Sequence, residues 1–309
     1  MKIDNFDLKG IDENINLIKE KKLVLIEKGL PKESLEYLNK KIKDSNIKLI
    51  LVCDPSKDSS SDLVRNLDVF NYLQTISSLS ILVNSSKELN DISNLRKIDD
   101  LSSFSISGNY NKKINLDAIN KFQSLVEIEF DELDNSNKYK LIESLKLEKL
   151  SIDSVDLSKL KQNIQLKFLK INKDLKNHES IDYIFPNLNF LTLLNCKKIN
   201  NFSFLSKLKN LEFLLLNSTN IEVLPELSTK IIKVQLLASK NLENVNSLLK
   251  LNNLEKIAIT DSKVNYETIR ELAKLKLKNF YYTTKVKENN ADFETLALRN
   301  GFENSLRGF

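Results

Sequence analysis

The chain has no tryptophan, one histidine, two cysteines, five glycines and four prolines among 309 residues. Each shortage excludes something. A single His cannot build a multi-histidine metal centre. Two Cys cannot form a disulfide framework or a four-cysteine zinc site. So few Gly leave little material for the backbone loops that cradle phosphates. Arginine is scarce too: apart from Arg65, Arg96, Arg270, Arg299 and Arg307, lysine supplies the other 42 of the 47 basic side chains. The planar Arg fork is what reads phosphates and guanine edges. Dispersed lysine among 42 acidic residues reads as a solvated surface and argues against a nucleic-acid partner. No run approaches the ~18 apolar residues of a membrane span. The N-terminal MKIDNFDLKGIDENINLIKEKK is broken by charge every few residues, unlike a signal peptide. The expected compartment is therefore the cytoplasm, where unpaired thiols are ordinary.

What the chain does have is periodic apolar residues, 41% of the total. A template of apolar-x-x-apolar-x-apolar, with a small, polar or Cys residue three positions later, recurs along it. It fits Ile76/Leu79/Ile81, Leu101/Phe104/Ile106, Leu125/Ile128/Phe130, Leu147/Leu150/Ile152 and Leu166/Leu169/Ile171. It fits again at Leu188/Leu191/Leu193, Leu211/Leu214/Leu216, Ile231/Val234/Leu236, Leu254/Ile257/Ile259 and Leu277/Phe280/Tyr282. Successive copies are about 22 residues apart on average. Two weaker copies precede them at Leu23/Leu25 and Leu49/Leu51. The alternating core of each copy predicts a short strand with one buried face. One copy cannot bury that face alone, so the copies must stack into a parallel sheet. The residue three after the last anchor (Asn84, Asn109, Cys196, Thr219, Ser239, Ser262) is expected to point inward and satisfy backbone groups of the neighbouring coil.

These features resemble the leucine-rich-repeat family, with its L-x-x-L-x-L-x-x-N/C-x-L consensus. LKNLEFLLLNSTNIEVLPEL, from Leu208 to Leu227, looks like the short bacterial repeats of internalin type, and LNFLTLLNCKKI puts Cys196 at the family's Asn/Cys position. Leu133, Val155, Asp174 and Lys285 depart from that position and predict irregular repeats. The resemblance implies an α/β leucine-rich-repeat solenoid: a curved parallel sheet on the concave face, with short helices and turns on the convex face. The expected layout is one domain over 1–309, with an N-terminal cap at 1–46, repeats at 47–285 and a C-terminal cap at 286–309. Return helices are predicted over Pro31 to Asp44, Asp62 to Leu73, Ser136 to Ser144 and Tyr266 to Leu275, the last capped by Asn265. Asp58 to Ser61 and Asp134 to Asn137 read as loops. Phe293, Leu296, Leu298 and Phe302 stand at near-helical spacing in the C-terminal cap.

Catalytic candidates are thin. His178 sits in a polar KNHES loop and reads as a solvated residue. Cys53 and Cys196 lie six coils apart, ~29 Å at strand spacing, too far to pair. Glu127, Glu129 and Asp131 alternate on one strand face, which reads as an acidic patch rather than a cation site. No cofactor or metal is expected. The informative surface is the exposed strand face. Phe168, Phe190 and Phe213 occupy one position in three adjacent coils, a ladder ~4.8 Å apart, with Leu194 and Leu215 beside it. Thr192, Gln235, Ala258 and Asn279 share that face by position. The candidate partner-binding set is Phe168, Phe190, Phe213, Leu194, Leu215, Lys170, Glu127, Glu129, Asp131 and Tyr281. Aromatic anchors on an exposed apolar strip favour protein contact. The expected function is a monomeric, non-catalytic scaffold binding a protein partner. Resemblance suggests an adaptor, an inhibitor or an immunity protein. An effector with an unseen activity and a nucleic-acid binder are the alternatives.

Overall fold

The computed structural model describes residues 7–27, 29–54, 66–133 and 137–308. The expected loop at Asp58 to Ser61, and most of that at Asp134 to Asn137, lie outside them. The chain divides into two compact units, one ending at Ser151 and the other starting at Ile152.

The first unit opens with α1 (Leu8–Lys21), whose N-terminus is capped by Asp7 Oδ1 accepting from the Gly10 amide at 2.7 Å. Then come β1 (Leu23–Ile26), α2 (Lys32–Ile42), β2 (Lys48–Cys53), β3 (Ser78–Val83), β4 (Ser103–Gly108), β5 (Glu127–Phe130) and α3 (Asn137–Ser144). A further strand, β6 (Lys149–Asp156), starts in this unit and ends in the next. From β1 to β5 each strand pairs in parallel with the one that follows. One register expectation fails. The buried pair of β1 is Val24 and Ile26, which face Leu49 and Leu51 across the ladder, whereas Leu23 and Leu25 are half-buried. LVLI is apolar at four successive positions, so alternation alone cannot choose its face.

The second unit holds β7 (Phe168–Lys176), α4 (Ile181–Ile184), β8 (Phe190–Leu194), β9 (Phe213–Asn217), β10 (Lys233–Leu237), β11 (Lys256–Thr260), α5 (Tyr266–Leu272), β12 (Asn279–Thr283) and α6 (Lys287–Asn300). Its strands also pair in parallel and in chain order, with partners 20 to 23 residues apart. The predicted helix after Asn265 is present, and the Asn265 side chain accepts from the Glu267 amide at 2.9 Å. Over 62–73 the described part forms only a 3-10 turn, Asp68–Asn71. In α6, Phe293 is buried against Phe280 at 4.8 Å, but Leu298 is 86% exposed, so the cap uses fewer of its apolar residues than the spacing suggests.

All thirty anchors of the ten copies are buried, the most exposed being Leu277 at 7%. Each fully buried aliphatic anchor contributes ~1.5–3 kcal/mol relative to exposure. Between strands the chain returns by short helices or by 3-10 turns. Many of these returns begin with an Asp or Asn whose carboxylate or amide oxygen accepts from the amide two residues on: Asp91, Asn115, Asp156, Asn201 and Asn244. After β8, β9, β10 and β11 one residue takes a positive φ: Asn195, Ser218, Ala238 and Asp261. In the first unit Gly108 serves at the matching place, with φ 90. The bend thus relies on glycine only there, which is how the chain repeats it with so few.

Candidate protein-binding surface

The solvent-side face of the second unit is laid out by strand register. Phe168 pairs with Phe190, Phe190 with Phe213, Phe213 with Lys233, Lys233 with Lys256, and Lys256 with Asn279. Adjacent ring centroids in the Phe ladder stand 6.2 and 6.0 Å apart, with planes inclined at 32° and 45°. Such pairs contribute ~0.5–1.5 kcal/mol each beyond area burial. Phe190 is 39% exposed and its two neighbours are half-buried. The row continues into charge. Lys233 Nζ lies 4.7 Å from the Phe213 ring centroid, a cation–π contact. Burial, and then the positive charge of Lys256, lower the Lys233 pKa.

A second row runs Lys170, Thr192, Leu215, Gln235, Ala258 and Tyr281. Leu194 stands in a third, beside Asn217 and Leu237. Lys170, Leu215, Leu194 and Tyr281 are half-buried. In these rows four positions expected to be exposed are not: Thr192 is 7%, Gln235 8%, Ala258 0% and Asn279 2% exposed. Thr192 and Ala258 are short side chains between bulkier neighbours on strands ~4.8 Å away, which shade them. Asn279 is covered by the C-terminal segment, donating from Nδ2 to the Ser305 carbonyl at 2.9 Å. Tyr281 lies three strands beyond β9, ~14 Å from the ladder, and is not part of it. Lys233 belongs to the ladder row, as its shared position with Phe213 in the aligned copies already implied.

Glu127, Glu129 and Asp131 belong to the first unit, and the structure gives each a neighbour there. Lys149 Nζ is 3.2 Å from Glu127 Oε2, Ser151 Oγ donates to Glu129 Oε1 at 3.0 Å, and the Gly108 amide donates to Asp131 Oδ2 at 3.2 Å. The exposed Glu127 pair contributes at most ~1 kcal/mol. A run of serines lies beside them: Ser78 and Ser103 lead to Glu127, Ser80 and Ser105 to Glu129, and Ser105 Oγ donates to Ser80 Oγ at 2.7 Å.

The single histidine and the two cysteines are packed into the protein. His178 is not solvated as expected. Its side chain is 15% exposed, with the ring 4.9 Å from that of Phe204. Cys53 and Cys196 are both buried thiols. Burial pushes the Cys196 thiol up to about 12, nearby Asp174 adds to this, and a backbone hydrogen bond at Leu194 opposes it. Among the described residues, no three His, Cys, Asp or Glu side chains gather as a metal would require, and no helix is long and apolar enough to cross a membrane.

The inward position after each strand varies along the chain; in the first unit Asn109 Nδ2 donates to the Ser85 carbonyl at 3.1 Å, as expected there. In the second, Cys196 Sγ reaches the Leu194 carbonyl at 3.4 Å, and the Thr219 and Ser239 hydroxyls meet at 3.2 Å, all three side chains being buried. In the first, Leu133 is buried there, while Asn84 is exposed and Val83 fills the core instead. Val155, at that position on β6, is also buried. Parallel strands in chain order, fully buried anchors and inward Cys and Thr at the turn are decisive together.

The architecture is that of leucine-rich-repeat proteins.

No protein-family model matches the chain, and no curated protein matches it in sequence. Among solved structures, it is similar to internalin C2 of Listeria monocytogenes at 17% identity, covering 74% of this chain and 88% of that one, with a TM-score of 0.38. It is similar to an internalin F of the same organism at 15% identity, covering 89% and 90%, with a TM-score of 0.43. A leucine-rich-repeat protein of Leptospira interrogans gives 17% identity, 93% and 90% coverage and a TM-score of 0.39. The fold stands on the register and the buried anchors described above rather than on these overlays.

Proposed function

We propose that this chain is a non-catalytic recognition scaffold that binds a protein partner through the aromatic face of its second unit. The observation that carries the reading is the ladder Phe168, Phe190 and Phe213, held at 6.0 to 6.2 Å by strand register with Phe190 39% exposed. Rings fixed by a rigid sheet contact a partner at little entropic cost, and aromatic side chains are enriched among the residues that dominate binding energy. Leu194 and Leu215 widen the apolar strip. Two buried, unbridged thiols favour a reducing compartment, the cytoplasm. The role is that of an adaptor, an inhibitor or an immunity protein.

The test is an affinity capture from the native cell, run in parallel with the wild-type chain and the Phe190→Ala/Phe213→Ala double variant. Both rings point away from the anchors, so the variant should melt within a few degrees of wild type. A protein retained by wild type and lost by the variant supports the reading. An identical set of captured proteins refutes it.

A further inference from the structure

Strand β1 is the outer strand of the first unit, and its far side is open. The sheet begins with it, and it pairs only with β2. The Lys48 amide donates to the Lys22 carbonyl at 3.0 Å, and Lys48 stands opposite Leu23. In a parallel ladder Lys22, Val24 and Ile26 therefore turn their peptide groups to β2, while Leu23 and Leu25 turn theirs outward. Among the described residues no strand or bridge takes those outward groups. The last strand is treated differently: Glu303 of the same chain bridges in parallel to Asn279 on β12. β1 carries no charge, proline or bulge of the kind that blunts an exposed edge.

The surface beside this edge is apolar. Leu23 and Leu25 are half-buried on the solvent side. Ile50, paired with Leu25, and Val52, paired with Leu82, continue the strip inward, and Leu82 is 42% exposed. Two exposed lysines stand where the strands begin, Lys22 before β1 and Lys48 at the start of β2. Neither makes an ion pair among the described residues, whereas Lys21 and Lys41 pair with Glu20 and Asp12. We infer that the free edge of β1 takes an extended segment of a protein partner, added in parallel as β2 is on the other side, with apolar residues beside Leu23 and Leu25 and an acidic residue just before them, next to Lys22 and Lys48. Main-chain bonds supply affinity, the apolar strip selects alternate side chains, and the lysines fix direction. These residues are distinct from the aromatic face, so the two readings fail independently.

The probe is a fluorescein-labelled peptide, Gly-Ser-Asp-Asp-Val-Ala-Val-Thr-Ser-Gly, whose two Val would lie beside Leu23 and Leu25. In that parallel register the Ala and Thr amides donate to β1, and the two Val amides point away. Fluorescence polarisation on the full chain should show at least about tenfold weaker binding when the Ala and Thr amides are N-methylated, and little change when the Val amides are. Lys in place of Asp should weaken binding at ~50 mM salt, less so at ~500 mM. Lys22→Glu/Lys48→Glu should reverse that preference, and Leu25→Lys should abolish binding, with both folds checked by circular dichroism. The Phe190→Ala/Phe213→Ala variant should bind the peptide as wild type does. No binding, or losses that do not depend on which amides are methylated, overturns the inference. So does a chain that is dimeric by light scattering and made monomeric by Leu25→Lys, because a second copy then holds the edge.

Discussion

Gly108 offers a direct measurement of how closely two strands approach. It ends β4 at φ 90 and pairs with Val83 at the end of β3. A Cβ placed there would lie 2.2 Å from the Val83 carbonyl oxygen, more than 1 Å inside ordinary contact. Gly108→Ala must therefore move a carbonyl that also accepts from the Asn109 amide at 3.1 Å. Three terms add. The left-handed backbone costs an alanine ~1–2 kcal/mol, the displaced hydrogen bond ~1 kcal/mol, and the clash ~1–3 kcal/mol of strain. The reduced freedom of the unfolded chain offsets ~0.4–1 kcal/mol. The net expectation is a loss of about 2–6 kcal/mol. Gly301 is the control. It caps α6 at φ 73, and nothing lies within 4 Å of its added Cβ. Gly301→Ala should thus cost only the backbone term less the same offset, ~1 kcal/mol or below. Urea unfolding followed by far-ultraviolet circular dichroism reads both, and peptide-level hydrogen exchange over β3 and β4 localises the damage. If Gly108→Ala costs no more than Gly301→Ala, the close strand approach is wrong.

Two further outcomes follow from packing. Phe293→Ala removes a fully buried ring that touches Phe280, Tyr282 and Phe302 at 4.8, 5.2 and 5.8 Å, and should lower stability by ~3–5 kcal/mol in the same urea assay; a loss below ~1 kcal/mol would mean that α6 does not dock there. The raised Cys196 pKa favours the folded state while the thiol is protonated in both states, and that advantage is lost as pH climbs from the ordinary thiol value of 9.0 towards about 12. Within that window wild type should lose stability more steeply than Cys196→Ala, by up to ~1.4 kcal/mol per pH unit; parallel curves would show that the thiol is not shielded.

The anchors were legible because a period-two strand with one buried face leaves a simple trace, and ten copies reinforce one another. Three things were not. Helix α1 buries only Gly10, Ile11 and Ile18 along its length, a stripe too thin to stand out among its charges. The face of β1 is fixed by its pairing with β2, since all four of its residues are apolar. The exposed face was over-counted because alternation names the side a residue points to, not whether its neighbours overtop it. Thr192 and Ala258 point outward and are still buried. The Phe ladder itself was readable from the aligned copies, whereas the contact of Lys233 with the Phe213 ring needed coordinates.

The outer edge of β12 is covered by residues from beyond α6. A parallel sheet of repeats has no intrinsic reason to stop, because each edge offers unpaired amides and carbonyls to whatever strand arrives. Here Phe280 donates to the Glu303 carbonyl at 2.9 Å, Glu303 donates to the Lys278 carbonyl at 3.0 Å, and Phe302 lays its ring against Phe280. Residues just beyond α6 thus fill the seat that a foreign strand would take. Their arrival is what turns an extendable polymerising edge into a finished end, and a chain cut short before Phe302 would offer that edge to filament growth.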